Sequence, residues 1–146
     1  MDEPTWVRLK SLKLNPTRYE RVSGTDVEVA FSPFDVPTAA RSYRDPHSRF
    51  VIEFKYLSEG EPREEAREGD ITVLTGKTSH RLYSLVIDAS ALHESNSITL
   101  LRTRLKEAID KTAVSQPSTL RSGNYQAAKE VIESNDGAEL LRKAVA

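Results

Sequence analysis

No cysteine occurs in the chain, which excludes disulfides, thiolate metal sites and thiol nucleophiles and fits a reducing compartment. Charge of neither sign dominates: 21 Lys and Arg face 22 Asp and Glu, for a formal net charge of −1. That balance offers no bulk attraction to nucleic acid or to an anionic membrane. No apolar run approaches the ~20 residues that a membrane-spanning helix needs. Met1-Asp2-Glu3-Pro4 does not read as a secretory signal, so a cytoplasmic location is expected. Histidine is scarce, and His47, His80 and His93 share no helix face or strand register. A metal would need them to converge through the fold with Asp45, Asp88 or Glu94, so neither a metal nor a cofactor is expected.

What is present is ordinary for a globular protein. The 146 residues are 38% hydrophobic and 29% charged, enough for one domain around one core. The clearest signal is the two-residue period of Phe50, Ile52, Phe54 and Tyr56 against Val51, Glu53 and Lys55, which predicts a strand over Phe50–Leu57. In Leu82–Ala89 both alternating sets are mostly apolar, as in a central strand covered on both faces. Ile71–Thr75 predicts a shorter strand, joined to the next through a hairpin at Gly76–Arg81. The link Ser58 to Asp70, with Gly60, Pro62, Gly69 and the charged run Glu61–Glu68, reads as a solvated, mobile loop that keeps strand edges from associating.

Upstream, Trp6–Leu14 alternates imperfectly and reads as a first strand, with Trp6 anchoring the core or an interface. Turns are expected at Asn15-Pro16 and Ser23–Asp26, and a strand at Val27–Phe31. Phe34 to Ser48 reads as an irregular connection ending in the turn-forming Asp45-Pro46. Downstream, Ser90–Ser97 is expected to be a polar link, with Asn96 or Ser97 capping a helix over 97–113. Ile98, Leu101, Leu105, Ala108 and Thr112, with Ile109 beside them, give that helix one buried stripe opposite Arg102, Arg104, Lys106, Glu107, Asp110 and Lys111. Val114–Gly123 reads as a linker, Asn124–Glu133 as a short helix, and Asp136–Glu139 as a capping box opening a last helix over Ala138–Val145.

The expected fold is therefore α+β. An antiparallel sheet of about five strands carries one long amphipathic helix on one face, with short C-terminal helices. Residues 1–114 hold the strands (within 5–89) and the long helix. Residues 115–146 pack either on the same core or on a second subunit.

From Tyr43-Arg44-Asp45-Pro46 through Ile52-Glu53-Phe54, then Gly69–Val73 and Arg81–Ser90, the chain resembles a small bacterial family of uncharacterised meander domains. The resemblance spans about one third of the chain and rests on turn chemistry and strand period. Lys77, Thr78, Ser79 and His80 depart from the acidic, glycine-containing hairpin of that family. The resemblance implies no catalytic residues. It implies an antitoxin-like or other partner-binding role, since some members are similar to genes found beside toxins.

No catalytic motif in the sequence is complete. Gly76-Lys77-Thr78 ends like a phosphate loop, but Ile71 stands where the first glycine is required, and a strand follows instead of a helix. His80 with Asp88 and Ser79 or Ser90 lacks a nucleophile elbow. The leading expectation is a non-enzymatic protein-interaction module that binds a protein partner or itself as a homodimer. The alternative is a small-ligand or anion-binding domain, with Arg41, Arg44 and Arg49 in one loop and Lys77, His80 and Arg81 in the hairpin lining a cleft. Nucleic-acid binding is the weakest reading at this net charge.

Overall fold

The structure, a computed structural model, describes residues 6–9, 17–22, 25–30, 36–57, 60–94, 97–115 and 122–145. Its strands are β1 (Val7–Arg8), β2 (Thr17–Val22), β3 (Thr25–Ala30), β4 (Ala39–Arg44), β5 (Phe50–Lys55), β6 (Arg63–Glu68), β7 (Ile71–Gly76) and β8 (Leu82–Ile87). Its helices are α1 (Ala89–Glu94), α2 (Ile98–Ser115), α3 (Ser122–Glu133) and α4 (Asn135–Val145). Six strands form one antiparallel sheet in the order β1-β4-β5-β8-β7-β6, while β2 and β3 pair separately as a two-stranded hairpin. The expected α+β class and antiparallel sheet are thus present.

Strand period decides which face meets the helices. Phe50, Ile52 and Phe54 share a face with Leu85, Ile87, Ile71 and Val73 across β5, β8 and β7. All of them are buried in one core with Leu101, Leu105 and Ile109 of α2, Tyr125, Ala128 and Ile132 of α3, and Leu140 and Leu141 of α4. Each Val, Leu, Ile or Phe side chain among them contributes about 1.5–3 kcal/mol when it leaves water. Every residue of the central β8 is buried, as its doubly apolar sequence predicts. Ser42 on β4 donates from its hydroxyl to the Leu140 carbonyl (2.9 Å), tying α4 to the same face.

Several sequence expectations need correction. The charged run is not a loop: β6 pairs along its whole length with β7 and forms the sheet edge. Its charges suit an edge, because a solvated strand resists pairing with another chain. The connection after Phe34 is not irregular throughout, since Ala39–Arg44 forms β4 between β1 and β5. The link after Ser90 contains α1, which buries Ala91 and Leu92. Of the first strand only Val7–Arg8 is paired among the described residues. Asn15-Pro16, Ser23-Gly24 and Phe31 lie outside those residues.

Helix ends follow their capping chemistry. Ser97 accepts the Leu100 amide at its hydroxyl (3.2 Å) and caps α2. The last helix starts earlier than the Asp136 capping box suggests, because Ser134 accepts the Gly137 amide (3.1 Å) instead. A Cβ at Gly137 would lie 2.2 Å from the Val131 carbonyl oxygen, so the tight α3–α4 junction requires glycine there.

One buried polar network joins the two layers at the end of β8. The register of β7 against β8 shifts between Leu74 and Thr75, which leaves Tyr83 as an extra residue on β8. The Leu82 amide donates to Asn124 Oδ1 of α3 (2.8 Å), Asn124 Nδ2 donates to the Tyr56 hydroxyl (3.0 Å), and that hydroxyl donates to the Leu82 carbonyl (2.5 Å). Asn124→Leu removes both partners while keeping the branched shape, so stability should fall by about 1–3 kcal/mol for each buried group left unsatisfied. Urea denaturation followed by circular dichroism measures this. A loss no larger than that of the exposed control Lys111→Gln would show that the network is not needed.

Candidate functional site

The sheet face opposite the helices carries the residues that alternate with the core set. Arg41 lies across from Glu53, and Ala39 across from Lys55. At one end of this face a groove of about 490 Å³ is lined by Trp6, Arg41, Glu53, Phe54, Lys55, Tyr56, Gly60, Arg63 and Tyr83. Three structural features create it. The chain leaves β5 at Lys55 and passes the ends of β8 and β7 to reach β6 at the far edge. The bulge turns Tyr83 into the gap beneath that crossing, where its ring meets Tyr56 edge-to-face at 5.4 Å. Trp6, just before β1, closes the opposite side.

Glu61 holds the crossing segment in place. Its carboxylate accepts the amides of Thr78 and Ser79 (both 2.8 Å) and the Tyr83 hydroxyl (3.2 Å). The Lys77 amide adds a bond to the Pro62 carbonyl (2.9 Å). A Cβ at Gly76 would lie 2.2 Å from Glu61 Oε1, so glycine permits this close approach. Burial raises the Glu61 pKa, but the hydrogen bonds from Ser79, Thr78 and Tyr83 outweigh it and hold the carboxyl below its usual range.

Charge in the groove is unevenly compensated. Arg41 donates from Nε to Glu53 Oε2 (3.0 Å) and pairs with it again through Nη2 (2.9 Å). Its guanidinium also stacks 4.4 Å from the Trp6 ring centroid. Tyr43 donates a short hydrogen bond to the same carboxylate, and burial followed by the Glu53 bond pushes its pKa up to about 12. Lys55 lies 5.7 Å from the Trp6 centroid and Arg63 4.7 Å from that of Tyr83. No carboxylate among the described residues pairs with either cation.

The residues singled out from sequence do not converge. Phe50 pairs with Ile87, and Ile87 with Ile71, so the β4–β5 turn sits at the end of the sheet where β8 finishes. The Gly76–Leu82 hairpin sits at the other end, a strand length of ~20 Å away. Arg44 and Arg49 belong to the first end; Lys77, His80 and Arg81 belong to the second. Arg44 donates to the Ala144 carbonyl (3.1 Å) at the C-terminus of α4, where a cation suits the helix dipole. Arg49 closes its own turn through Asp45 (2.7 Å). Lys77 is exposed, and the Arg81 guanidinium lies 5.9 Å from the Tyr56 centroid. His80 adopts φ 60°, its carbonyl accepts the Tyr125 hydroxyl (2.7 Å), and its Nδ1 is buried with no hydrogen-bond partner. Only Arg41 lines the groove. The Arg41–Arg49 segment is a strand and turn, not the loop expected.

The other chemistries fare no better. Asp88 is at the far end of β8 from His80 and pairs with Arg67, so the hydrolytic grouping does not assemble. Among the described residues no three His, Asp or Glu side chains gather where a metal could bind. Sequence reasoning missed Lys55, Arg63 and Tyr83, and placed Trp6 first in the core. Only the wet face of β5 hinted at Lys55.

A depressed Glu61 pKa means that its contribution to stability is complete above the unfolded carboxyl value. That contribution is lost as pH falls through the lower folded value. Glu61→Gln should therefore lower the melting temperature at pH 7 and narrow its gap to the parent as the pH falls toward 3. An equal gap at every pH would show that the carboxylate charge is not what anchors the crossing. Comparison with protein families, with curated proteins and with solved structures finds no match to this chain, so the groove's own chemistry is what bears on function.

Proposed function

We propose that this protein is a non-enzymatic binding module that captures an anionic partner in the groove between Trp6, Lys55, Arg63 and Tyr83. The observation that carries the reading is the pair Lys55 and Arg63, which no carboxylate among the described residues matches, beside an Arg41 already neutralised by Glu53. A concave, ring-lined wall lowers the local dielectric, so two cations there attract an anion more strongly than two on an open surface. The reading keeps the anion-binding alternative drawn from the sequence but moves it to other residues.

A protein partner or a homodimer has less support on the described surface. The β6 edge carries Arg63, Glu64, Glu65, Arg67 and Glu68, and the other edge strand, β1, has 2 residues. The apolar residues Leu140, Leu141 and Ala144 of α4 are already covered by this chain's own core. The exposed large hydrophobics among the described residues are Leu57, just after β5, and Leu100 of α2. An antitoxin-like role rests on the meander resemblance. Such a partner would have to present an acidic segment to the groove. No described helix is long and apolar enough to cross a membrane.

Thermal-shift titration with orthophosphate, phosphorylated sugars and an acidic peptide tests the proposal. At least one should raise the melting temperature in a saturable, salt-sensitive way. The double variant Lys55→Gln/Arg63→Gln should weaken that binding by about tenfold or more, roughly 1.4 kcal/mol per tenfold, with little change in intrinsic stability. If no anion stabilises the parent, the groove is not an anion site.

A further inference from the structure

We infer that the anionic partner is a free mononucleotide, with its phosphate between Lys55 and Arg63 and its base laid on Trp6. This deepens the anion-binding reading and rests on it. Three observations narrow the ligand.

The first is charge. Arg41 and Glu53 neutralise each other, so Lys55 and Arg63 leave the groove with two positive charges uncompensated among the described residues. A phosphomonoester carries roughly −1.5 to −2 at neutral pH and matches that pair more closely than a carboxylate would.

The second is the placement of the rings. Tyr83 is buried at the floor, held by Glu61 and crossed by Arg63, while Phe54 and Tyr56 are buried toward the helical layer. Trp6 alone among the lining rings keeps appreciable exposure. Its indole meets the Arg41 guanidinium at 4.4 Å and Lys55 Nζ at 5.7 Å, and a planar base would extend the Arg41 stack as Lys55 turns to the phosphate. Glu53 adds a polar contact. Its Oε2 takes both Arg41 bonds and its Oε1 takes the Tyr43 hydroxyl, leaving an acceptor position on Oε1. A ribose hydroxyl or an exocyclic amine could donate there.

The third is size and surroundings. A volume of about 490 Å³ falls within the ~300–1,000 Å³ usual for small-ligand sites and suits one nucleotide. Glu65 shares the groove face of β6 with Arg63, so a strand continuing along β6 would meet a carboxylate that repels its next phosphate. The net charge of −1 adds no compensating attraction. A free nucleotide avoids both costs.

Trp6 is the only tryptophan, so its emission reports on the groove directly. The full chain is titrated with adenosine monophosphate, ribose 5-phosphate, orthophosphate and a ten-residue oligothymidylate, with fluorescence and calorimetry read in parallel. Adenosine monophosphate should quench Trp6 saturably and bind at least tenfold more tightly than ribose 5-phosphate. Trp6→Leu should abolish that preference while orthophosphate binding persists, and Trp6→Phe should restore part of it. Equal affinity for ribose 5-phosphate, with Trp6 emission unmoved, would overturn the nucleotide assignment while leaving the anion site standing. Tighter binding of the oligothymidylate per nucleotide would also overturn it, in favour of a strand. Binding of none of the four would remove the anion reading itself.

Discussion

The Leu82 amide is the point on which this structure depends. The register shift beside Tyr83 interrupts the β7–β8 ladder, and a buried amide without an acceptor is costly. Asn124 supplies that acceptor from the helical layer and passes a second bond to Tyr56. Sheet, bulge and α3 therefore share one set of hydrogen bonds. The same bulge sets the Tyr83 ring under the β5–β6 crossing. There its hydroxyl meets Glu61, and Glu61 grips the hairpin amides. The groove floor is continuous with the core through Tyr83.

Most of the arginines have structural work within reach. Arg102 donates to the Ile132 and Ser134 carbonyls at the end of α3, and Arg44 does the same for α4. Arg49 closes a turn, Arg67 meets Asp88, and Arg104 meets Asp70. Lys106 and Lys129 pair across α2 and α3 with Glu133 and Asp110. These exposed pairs add little individually, about 0–1 kcal/mol each. They matter here by contrast. Lys55 and Arg63 differ in that they meet the rings of one groove and have no ion pair among the described residues.

The elements legible in the sequence are those whose side chains carry a period. Phe50, Ile52 and Phe54 announce β5, the apolar run of Leu82–Ile87 announces the sheet centre, and Leu101, Leu105 and Ile109 announce α2. β4 and β6 were not legible. Ala39–Arg44 is short of β-branched residues, and Arg63–Glu68 carries charge on both faces. Each is a strand because a neighbour offers a complete ladder of hydrogen bonds, and local preference loses to that. α1 was missed because 6 residues are too few to show a helical period. The candidate site was hidden for a different reason. Residues 6, 55, 63 and 83 have no spacing in common, and they meet only because β6 is reached by a crossing over two strands.

By itself the sequence determined the class of fold, the core stripe of each main helix, the central strand and the exclusion of thiol chemistry. Those follow from composition and from periods of two and three to four residues, which act within one element. Tertiary structure alone decided which charges pair with one another among the described residues. Arg44 and Arg49 looked like a binding cluster until a helix end and a turn claimed them. Lys55 looked like a solvated strand residue and Arg63 like part of a solvated loop until the fold set them in one groove. Pairing between charges depends on distances across the sheet, and those distances are set by strand order and register rather than by any local pattern.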